Sequence, residues 1–376
     1  MGHRAIVIGT GFGARVHVPA LRAAGFEVVA LVGSDIERTR RRARHLDIPH
    51  ALCAVGEALA LPGIDAVTIA TPPDLHAPQA LAAIAAGKHV ICEKPFTLDA
   101  KQARRVLEAA ESTGVVHRLG YEFRWATERA LAARAIAGGA IGEPRLASFV
   151  SHVSLLAEPS FKMPAWWWRP EQGGGWLLAS GSHLIDQIRV WLGEIESVRA
   201  DVDTISRGAD TGRGDASDGA TRHSCAPPRK RLADDSFSVL ARTRAGASVT
   251  LQQTGASPGP MGSFMRVVGT SGSLWIQGNE VLVADTDGTR TLDVPADLAL
   301  PVLPETRDRA SARYTHMELG PYTRLCESLR DGIEGKGDPA ADPKPPTFAD
   351  GLASMVVLDA IREAAASGER VRIAAG

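Results

Sequence analysis

The feature that most constrains this chain stands at its start: Arg4-Ala-Ile-Val-Ile-Gly9-Thr10-Gly11-Phe12-Gly13-Ala14. Ala5 to Ile8 is an apolar run of strand length, and Arg15 to Ala24 follows with helical spacing. Strand, glycine turn and helix in succession form the arrangement that holds a dinucleotide pyrophosphate. Gly9 permits the tight turn, Gly11 lets backbone approach phosphate with no Cβ in the way, and Ala14 is small enough for the helix to pack close to the strand. The helix N-terminus offers free N–H groups and a partial positive charge to the anion. Thr10, Phe12 and Gly13 lie in the same turn and join Gly9, Gly11 and Ala14 as candidate cofactor contacts. The same residues also suit a glycine-rich turn that binds nothing.

At 376 residues two domains are expected, and 44% hydrophobic with 23% charged residues is the texture of a soluble globular protein. A net charge of −1 provides no global basic field for nucleic acid. The run from Arg38 to Arg44 reads as a solvated helix face. Cys53, Cys92, Cys225 and Cys326 stand far apart, with no CxxC and no paired histidine spacing. No metal site and no disulfide framework is therefore expected, and a reducing cytoplasm fits. No apolar stretch reaches the ~18 residues of a membrane span, and the chain enters its first strand at once, leaving no room for a signal peptide.

Phe26 to Val32 reads as a second strand, and its end bears on cofactor choice. An acidic residue at this position accepts from the ribose 2′-OH of NAD. Here the strand ends in Gly33-Ser34, with Asp35 late and Arg38 following, which leaves room for a 2′-phosphate and supplies a hydroxyl and a guanidinium. NADP is the preferred cofactor on this reading, with NAD the alternative if Asp35 turns back to the ribose and Arg38 faces solvent. Ile64 to Ala70 is another buried strand running into Thr71-Pro72-Pro73-Asp74-Leu75-His76, where two prolines force a sharp turn at the ligand edge of the sheet. His76 either contacts cofactor or caps the helix Pro78 to Ala86. Lys88 to Cys92 ends in Glu93-Lys94-Pro95-Phe96 at the same edge, and a helix from Asp99 to Ser112 and a strand from Val115 to Leu119 follow.

Gly9-x-Gly11-x-x-Ala14, Ala70-Thr71-Pro72-Pro73-x-x-His76, Glu93-Lys94-Pro95 and Gly120-Tyr121-Glu122-Phe123-Arg124 occur in that order. In these motifs the chain resembles the glucose–fructose oxidoreductase / inositol dehydrogenase / rhizopine catabolism (Gfo/Idh/MocA) family. The resemblance extends to Gly173-Gly-Gly-Trp-Leu-Leu-Ala-Ser-Gly-Ser-His183-Leu-Ile-Asp186 and to Phe348-Ala-Asp-Gly351. It implies an α/β Rossmann domain with a parallel sheet over residues 1–121 and an α+β domain with a large, mainly antiparallel sheet over 122–376. A closing helix near 349–367 would pack back towards the first domain. It also implies an NAD(P)-dependent dehydrogenase or reductase that interconverts a hydroxyl and a carbonyl on a sugar, cyclitol or related ring, and an assembly of two or four identical chains.

In the second half, Thr127 to Ala137 reads as a helix and Arg145 to Val153 as a strand. Segments Ser236–Arg242, Ser248–Gln253, Phe264–Val268, Ser273–Gln277 and Val281–Asp285 alternate at strand length between glycine-rich turns. The polar stretch from Ser206 to Asp235 reads as a mobile surface loop, and Gly335 to Pro346 as a linker between a helix from Tyr322 to Gly332 and the closing helix. Trp166-Trp167-Trp168-Arg169 concentrates indoles that either wall a pocket or pack in the core. The resemblance makes Trp168 and Arg169 candidates for cofactor contact, and Trp168 for substrate contact as well.

The helix from Gly175 to Leu192 places Ala179, His183 and Gln187 on one face. Similar enzymes use a lysine and a histidine on the substrate hydroxyl, and Lys94 and His183 match those positions. Histidine suits removal of the hydroxyl proton near neutral pH. Lys94 can donate to a developing oxyanion, or else make only a salt bridge with Glu93. The family's usual Asp four residues before the helix histidine is Ala179 here. Three outcomes stay open: His183 works alone, Tyr121, Glu122 or Asp186 supplies the missing contact, or the substrate is not a plain sugar. Tyr121 thus joins Lys94 and His183 as a catalytic candidate, and Glu122, Arg124 and Asp186 are substrate candidates. Reduction of a non-sugar C=C or C=N bond, and a dinucleotide-binding regulator without chemistry, are the rival functions.

Overall fold

The apolar runs of the first third form a parallel sheet because strands covered by helices on both faces bury most of their side chains. In a computed structural model describing residues 2–158, 163–205, 233–259, 261–300 and 309–374, without the side chains of 309–316, β1 (Arg4–Ile8), β2 (Glu27–Val32), β3 (His50–Leu52), β4 (Ala66–Ile69), β5 (His89–Cys92) and β6 (His117–Leu119) stand in the order 3-2-1-4-5-6. Every pairing in this sheet is parallel. The order reverses between β1 and β4, so their carboxyl ends border the crevice where ligands bind in such sheets. Helices α1 (Val18–Ala23), α2 (Ile36–His45), α3 (Val55–Leu59), α4 (His76–Ala85) and α5 (Ala100–Thr113) connect the strands.

Beyond β6 come α6 (Thr127–Ala137), β7 (Pro144–His152), α7 (Ser182–Leu192) and β8 (Ile195–Asp203). The strands β9 (Ser236–Thr243), β10 (Ser248–Thr254), β11 (Gly262–Gly269), β12 (Ser273–Gln277), β13 (Glu280–Asp285) and β14 (Gly288–Thr291) follow. The chain ends with α8 (Arg309–Ile333), α9 (Phe348–Ser367) and β15 (Val371–Arg372). The second sheet has nine strands in the order 14-13-12-11-7-10-9-8-15. It is antiparallel throughout except where β7 and β10 run parallel.

The stretch expected as a loop from Ser206 lies outside the described residues except for Ala233, Asp234 and Asp235. Cys225 lies there too; Cys53, Cys92 and Cys326 are free thiols. Among the described residues no helix is long and apolar enough to cross a membrane.

Two helices differ from the sequence expectation. The helix expected to begin at Tyr322, after Pro321, is α8, which starts at Arg309 and runs through that proline. Pro321 lacks the N–H for a bond one turn back. Burial of Leu319, Tyr322, Leu325, Cys326 and Leu329 outweighs that loss. These side chains pack with Val7, Val16, Leu21 and Ile91 of the first sheet and its helices. The helix expected from Gly175 is interrupted: Leu177–Gly181 is one π-helical turn, and regular α-helix begins at Ser182. Three glycines precede the turn. The Asp234 carboxylate accepts from the Leu177 N–H at 2.7 Å, fixing where the helix starts.

The closing helix α9 begins with a reciprocal cap between Thr347 and Asp350. It ties to the first sheet's helices where the Ala100 N–H donates to Asp359 at 2.8 Å and Arg362 donates to the Leu98 carbonyl at 3.0 Å.

Candidate active site

The glycine turn has the shape its sequence requires. Gly9 sits at φ +122°, and a Cβ there would lie 2.2 Å from the Ala70 carbonyl oxygen, so only glycine fits. A Cβ on Gly11 would meet no protein atom within 4 Å; the space beside it is open to a phosphate. The close helix–strand approach falls at Gly13, where a Cβ would be 2.8 Å from Val7 Cγ1. Ala14 is buried beside it, and Thr10 is buried at the strand end. Phe12 stands edge-on to His17 and Tyr322.

At the end of β2, Arg38 donates to Ser34 Oγ at 3.2 Å. Asp35 does not turn back: its carboxylate caps α2 by accepting from the Arg38 N–H at 2.8 Å. Gly33 has no room for a side chain, since a Cβ would meet Thr10 Cγ2 at 2.4 Å and Thr39 Oγ1 at 2.5 Å. Arg42 sits among like charges; burial first, then Arg38, Arg15 and Arg41, weaken its hold on its proton.

The loops after β4 and β5 are strapped together by His76. Its Nδ1 lies 2.9 Å from the Pro95 carbonyl oxygen and its Nε2 2.9 Å from that of Thr71. Both expectations for His76 are corrected here. It makes no side-chain cap to α4, and neither ring nitrogen is left for a cofactor, because both face backbone carbonyls in the interior. Thr71 donates from its hydroxyl to Gln79 at 2.8 Å. Pro72 leads into the tight turn, and Pro73 lies so close to Gly173 that a Cβ on the glycine would be 2.6 Å away. This contact joins the proline loop to the second half of the chain.

Glu93 is buried, with Oε1 3.2 Å from His17 Nε2 and Oε2 accepting from the Lys94 backbone N–H at 3.2 Å. Burial opposes its ionisation, but His17, Lys94 and Tyr322 outweigh it and hold the carboxyl below its ordinary value. His17 stacks on Tyr322 with ring centres 4.4 Å apart. Nothing along the chain announces this His17–Glu93–Tyr322 group beyond a histidine amid apolar residues.

The Lys94 side chain makes no salt bridge with Glu93. Its ammonium crosses to the other half of the chain and donates to the Ala179 carbonyl at 3.0 Å. That carbonyl belongs to the π-helical turn just before α7, and His183 follows in the first turn of α7. Lys94 and His183 are thereby brought together. His183 is 8% exposed and packs against the Phe123 ring at 4.6 Å and the Tyr121 ring at 5.9 Å. Burial first, then Lys94 and Arg129, push its proton affinity well below the ordinary range, so the ring is neutral near pH 7. Glu122 Oε1 lies 4.0 Å from His183 Nε2. Gly181 lets Phe237 approach the helix, at 3.1 Å from where its Cβ would be.

Three candidates face elsewhere. Arg124 donates to both oxygens of Asp186, at 2.8 and 2.5 Å, to Asp350 at 2.8 Å and to the Lys344 carbonyl at 3.1 Å. Arg124 and Asp186 were expected to touch substrate. Their polar atoms are instead spent on each other and on α9, because an unpaired buried charge costs more than a paired one. Tyr121 is fully buried, and its hydroxyl neighbours Ser354 and Asp186; burial and Asp186 raise its pKa. Of the indoles, Trp167 packs against Trp176 at 6.0 Å and lines the core, while Trp168 is half-buried. Arg169 is exposed and donates to Gln172 at 3.3 Å.

Residues 3–121 match the family model described as "Oxidoreductase family, NAD-binding Rossmann fold", and residues 130–275 match the "GFO/IDH/MocA C-terminal domain". The chain is 31% identical over 363 residues to a 1,5-anhydro-D-fructose reductase of Ensifer adhaerens, covering 96% of this chain and 95% of that one. The chain belongs to the Gfo/Idh/MocA oxidoreductases. This oxidoreductase is also 32% identical over 218 residues, 57% of its length, to a levoglucosan dehydrogenase of Pseudarthrobacter phenanthrenivorans, covering 55% of that protein. Its fold matches a levoglucosan dehydrogenase solved with NADH and L-sorbose, with TM-score 0.82 at 24% identity over 99% of both chains. It also matches an NAD-binding oxidoreductase from Klebsiella pneumoniae, with TM-score 0.79 at 26% identity over the whole of both chains. The parallel sheet of this oxidoreductase is thus an NAD-binding Rossmann fold, and the Lys94–Ala179 contact lies where that fold meets the C-terminal domain.

Proposed function

We propose that this oxidoreductase interconverts a secondary alcohol and a carbonyl on a sugar, cyclitol or related ring, with NADP preferred over NAD. One observation carries the reaction class: Lys94 from the end of β5 reaches the start of α7 beside a buried, neutral His183. The residues present fit a dinucleotide. Gly9 and Gly13 leave no space for side chains of their own, while Gly11 opens onto free space.

When bound, the nicotinamide supplies or accepts the hydride. Around it, Lys94 binds the reacting oxygen, exchanging its Ala179 contact for a hydrogen bond to developing negative charge. His183 Nε2 takes the hydroxyl proton in oxidation and returns it in reduction. Burial of His183, Glu122 and Tyr121 keeps water away from the proton being moved.

The preference for NADP rests on Ser34, Arg38 and the arginines behind them. Asp35 is committed to its cap, so no carboxylate opposes a 2′-phosphate. Arg38, Arg15 and Arg41 crowd Arg42 with like charge, and an anion there would relieve their mutual repulsion. The relatives named for anhydrofructose and levoglucosan support a sugar-derived ring as substrate. The outer face of the second sheet exposes Leu146, Leu240, Phe264 and Val268, which suits an assembly of identical chains.

The test is spectrophotometric: NADP(H) and NAD(H) turnover against a panel of cyclic polyols, anhydrosugars and their keto forms. Hydride exchange with at least one alcohol–carbonyl pair is expected, faster with NADP(H). No exchange with either cofactor across the panel would overturn the reading.

A further inference from the structure

Glu122 carries chemistry that Lys94 and His183 alone leave unused. It follows β6 in a short helical turn and is 1% exposed. Its Oε1 lies 4.0 Å from His183 Nε2, and its Oε2 is buried with no hydrogen-bond partner. A buried carboxyl oxygen without a partner is costly unless a ligand or a proton completes it. Four residues before the histidine the chain has Ala179, whose methyl group can neither accept nor donate. Glu122 is therefore the carboxyl group placed to serve the His183 ring from within the site.

We propose that Glu122 is the proton partner of His183, the two side chains holding one proton between them for delivery to the substrate oxygen. The proposal rests on the alcohol–carbonyl reading above. In reduction, the carbonyl carbon gains the hydride from the reduced nicotinamide and the C=O π bond opens onto oxygen. The Glu122 carboxyl passes its proton to His183 Nε2, leaving a carboxylate, and Nε2 hands that proton on to the oxygen as negative charge develops there. The sum is carbonyl plus reduced nicotinamide plus Glu122 acid giving alcohol, oxidised nicotinamide and Glu122 carboxylate. Oxidation of the alcohol runs the same transfers backwards, and solvent restores the Glu122 proton between turnovers.

The surroundings favour a neutral Glu122 at rest. Burial first and then Glu93 push its carboxyl well above the ordinary carboxylate range; Lys94 opposes them and Glu318 adds to them. The titratable groups facing it are Glu93 and Lys94 from the end of β5, Glu318 and Tyr322 from α8, Arg129 from α6 and His183 from α7. Glu122 acts through His183 and is a positioning and proton-holding residue.

Two measurements on the full chain test this. In the first, infrared spectra across pH follow the C=O band of a buried protonated carboxyl without cofactor or substrate. The band should diminish in Glu122→Gln, and its midpoint should move in His183→Asn, because the imidazole that takes up the proton 4.0 Å away is gone. A midpoint unmoved by His183→Asn would overturn the shared proton whether or not a substrate is known.

The second is steady-state kinetics with the alcohol–carbonyl pair that the panel supplies. Glu122→Gln should lower kcat about a hundredfold, leave KM and cofactor affinity within about twofold, and remove one limb of the pH profile. Glu122→Asp should recover part of the loss. Wild-type kcat and an unchanged pH profile in Glu122→Gln would overturn the proposal while leaving the alcohol–carbonyl reading intact. Failure of the wild type to turn over any pair would count against that reading and leave the infrared result to decide the proton partnership.

Discussion

The Lys94 ammonium donates to the carbonyl oxygen of Ala179 at 3.0 Å, so the loop after β5 is hydrogen-bonded to the turn that begins the histidine helix. The acceptor is a backbone dipole, a weaker hold than a carboxylate would give.

Replacement of this lysine separates chemistry from fold. Lys94→Ala removes one half-exposed hydrogen bond, which contributes about 1 kcal/mol, so Tm should fall by only a few degrees. Turnover should fall by at least about a hundredfold, the scale on which loss of one donor to a developing oxyanion is felt. Full activity in Lys94→Ala would remove this residue from the mechanism.

Cofactor choice should turn on Ser34. A carboxylate at that position repels a 2′-phosphate at close range by about 1–4 kcal/mol and can accept from a free 2′-OH. Ser34→Asp should therefore shift the ratio of NADP to NAD efficiency towards NAD by about tenfold or more. An unchanged ratio would mean that Arg38 and its neighbours do not meet the phosphate. The neighbouring Gly33 cannot be used for the same purpose, because its Cβ would collide with Thr10 and Thr39.

The Arg124–Asp186 pair should matter to stability. Asp186→Ala leaves a buried guanidinium with Asp350 as its remaining carboxylate partner, and breaking such a pair costs about 3 kcal/mol or more. Urea unfolding should show a lower midpoint with an unchanged slope. A midpoint within error of wild type would show that Asp350 alone satisfies the guanidinium.

His117 should make the fold acid-sensitive. Its Nδ1 accepts from the Phe348 N–H at 3.1 Å, and its ring stacks on the Phe348 ring at 4.7 Å. Burial first, then Arg118, push its pKa down to about 4 from an ordinary 6.5. The folded protein thus binds this proton more weakly than the unfolded chain. The contribution is fully present above pH 6.5 and is lost as pH falls towards 4, by about 3 kcal/mol in all. Stability measured at pH 7, 5 and 4 should fall less steeply in His117→Asn than in wild type. Parallel curves would assign the acid sensitivity to other groups.

What the sequence disclosed depended on whether neighbours in space were neighbours in the chain. Strands β1, β2, β4 and β5 were legible because helices cover both faces and leave apolar runs. Strand β8 escaped notice because Glu196, Arg199 and Asp201 point outward between its buried residues, and β14 because it is exposed throughout. Lys94 and His183 were legible from their motifs. The His17–Glu93–Tyr322 group was not, since its members come from three distant segments. Arg124 and Asp186 stood in motifs that resemble the family's, but only the fold reveals that each is the other's partner. Asp234, which sets the start of the histidine helix, stood at the end of a polar stretch with nothing to single it out.

The packing of α8 bears on how the chain is made. Leu319, Tyr322, Leu325, Cys326 and Leu329 complete the apolar layer over β1 and β5, although the Rossmann match ends at residue 121. A nascent chain halted after β6 would present that layer to water. The cofactor half must therefore wait for roughly two hundred further residues to be synthesised before its last wall arrives. Cutting the gene at the family boundary should yield an aggregation-prone fragment rather than a free nucleotide-binding module, whereas a fragment supplied with α8 in trans has the missing surface to dock.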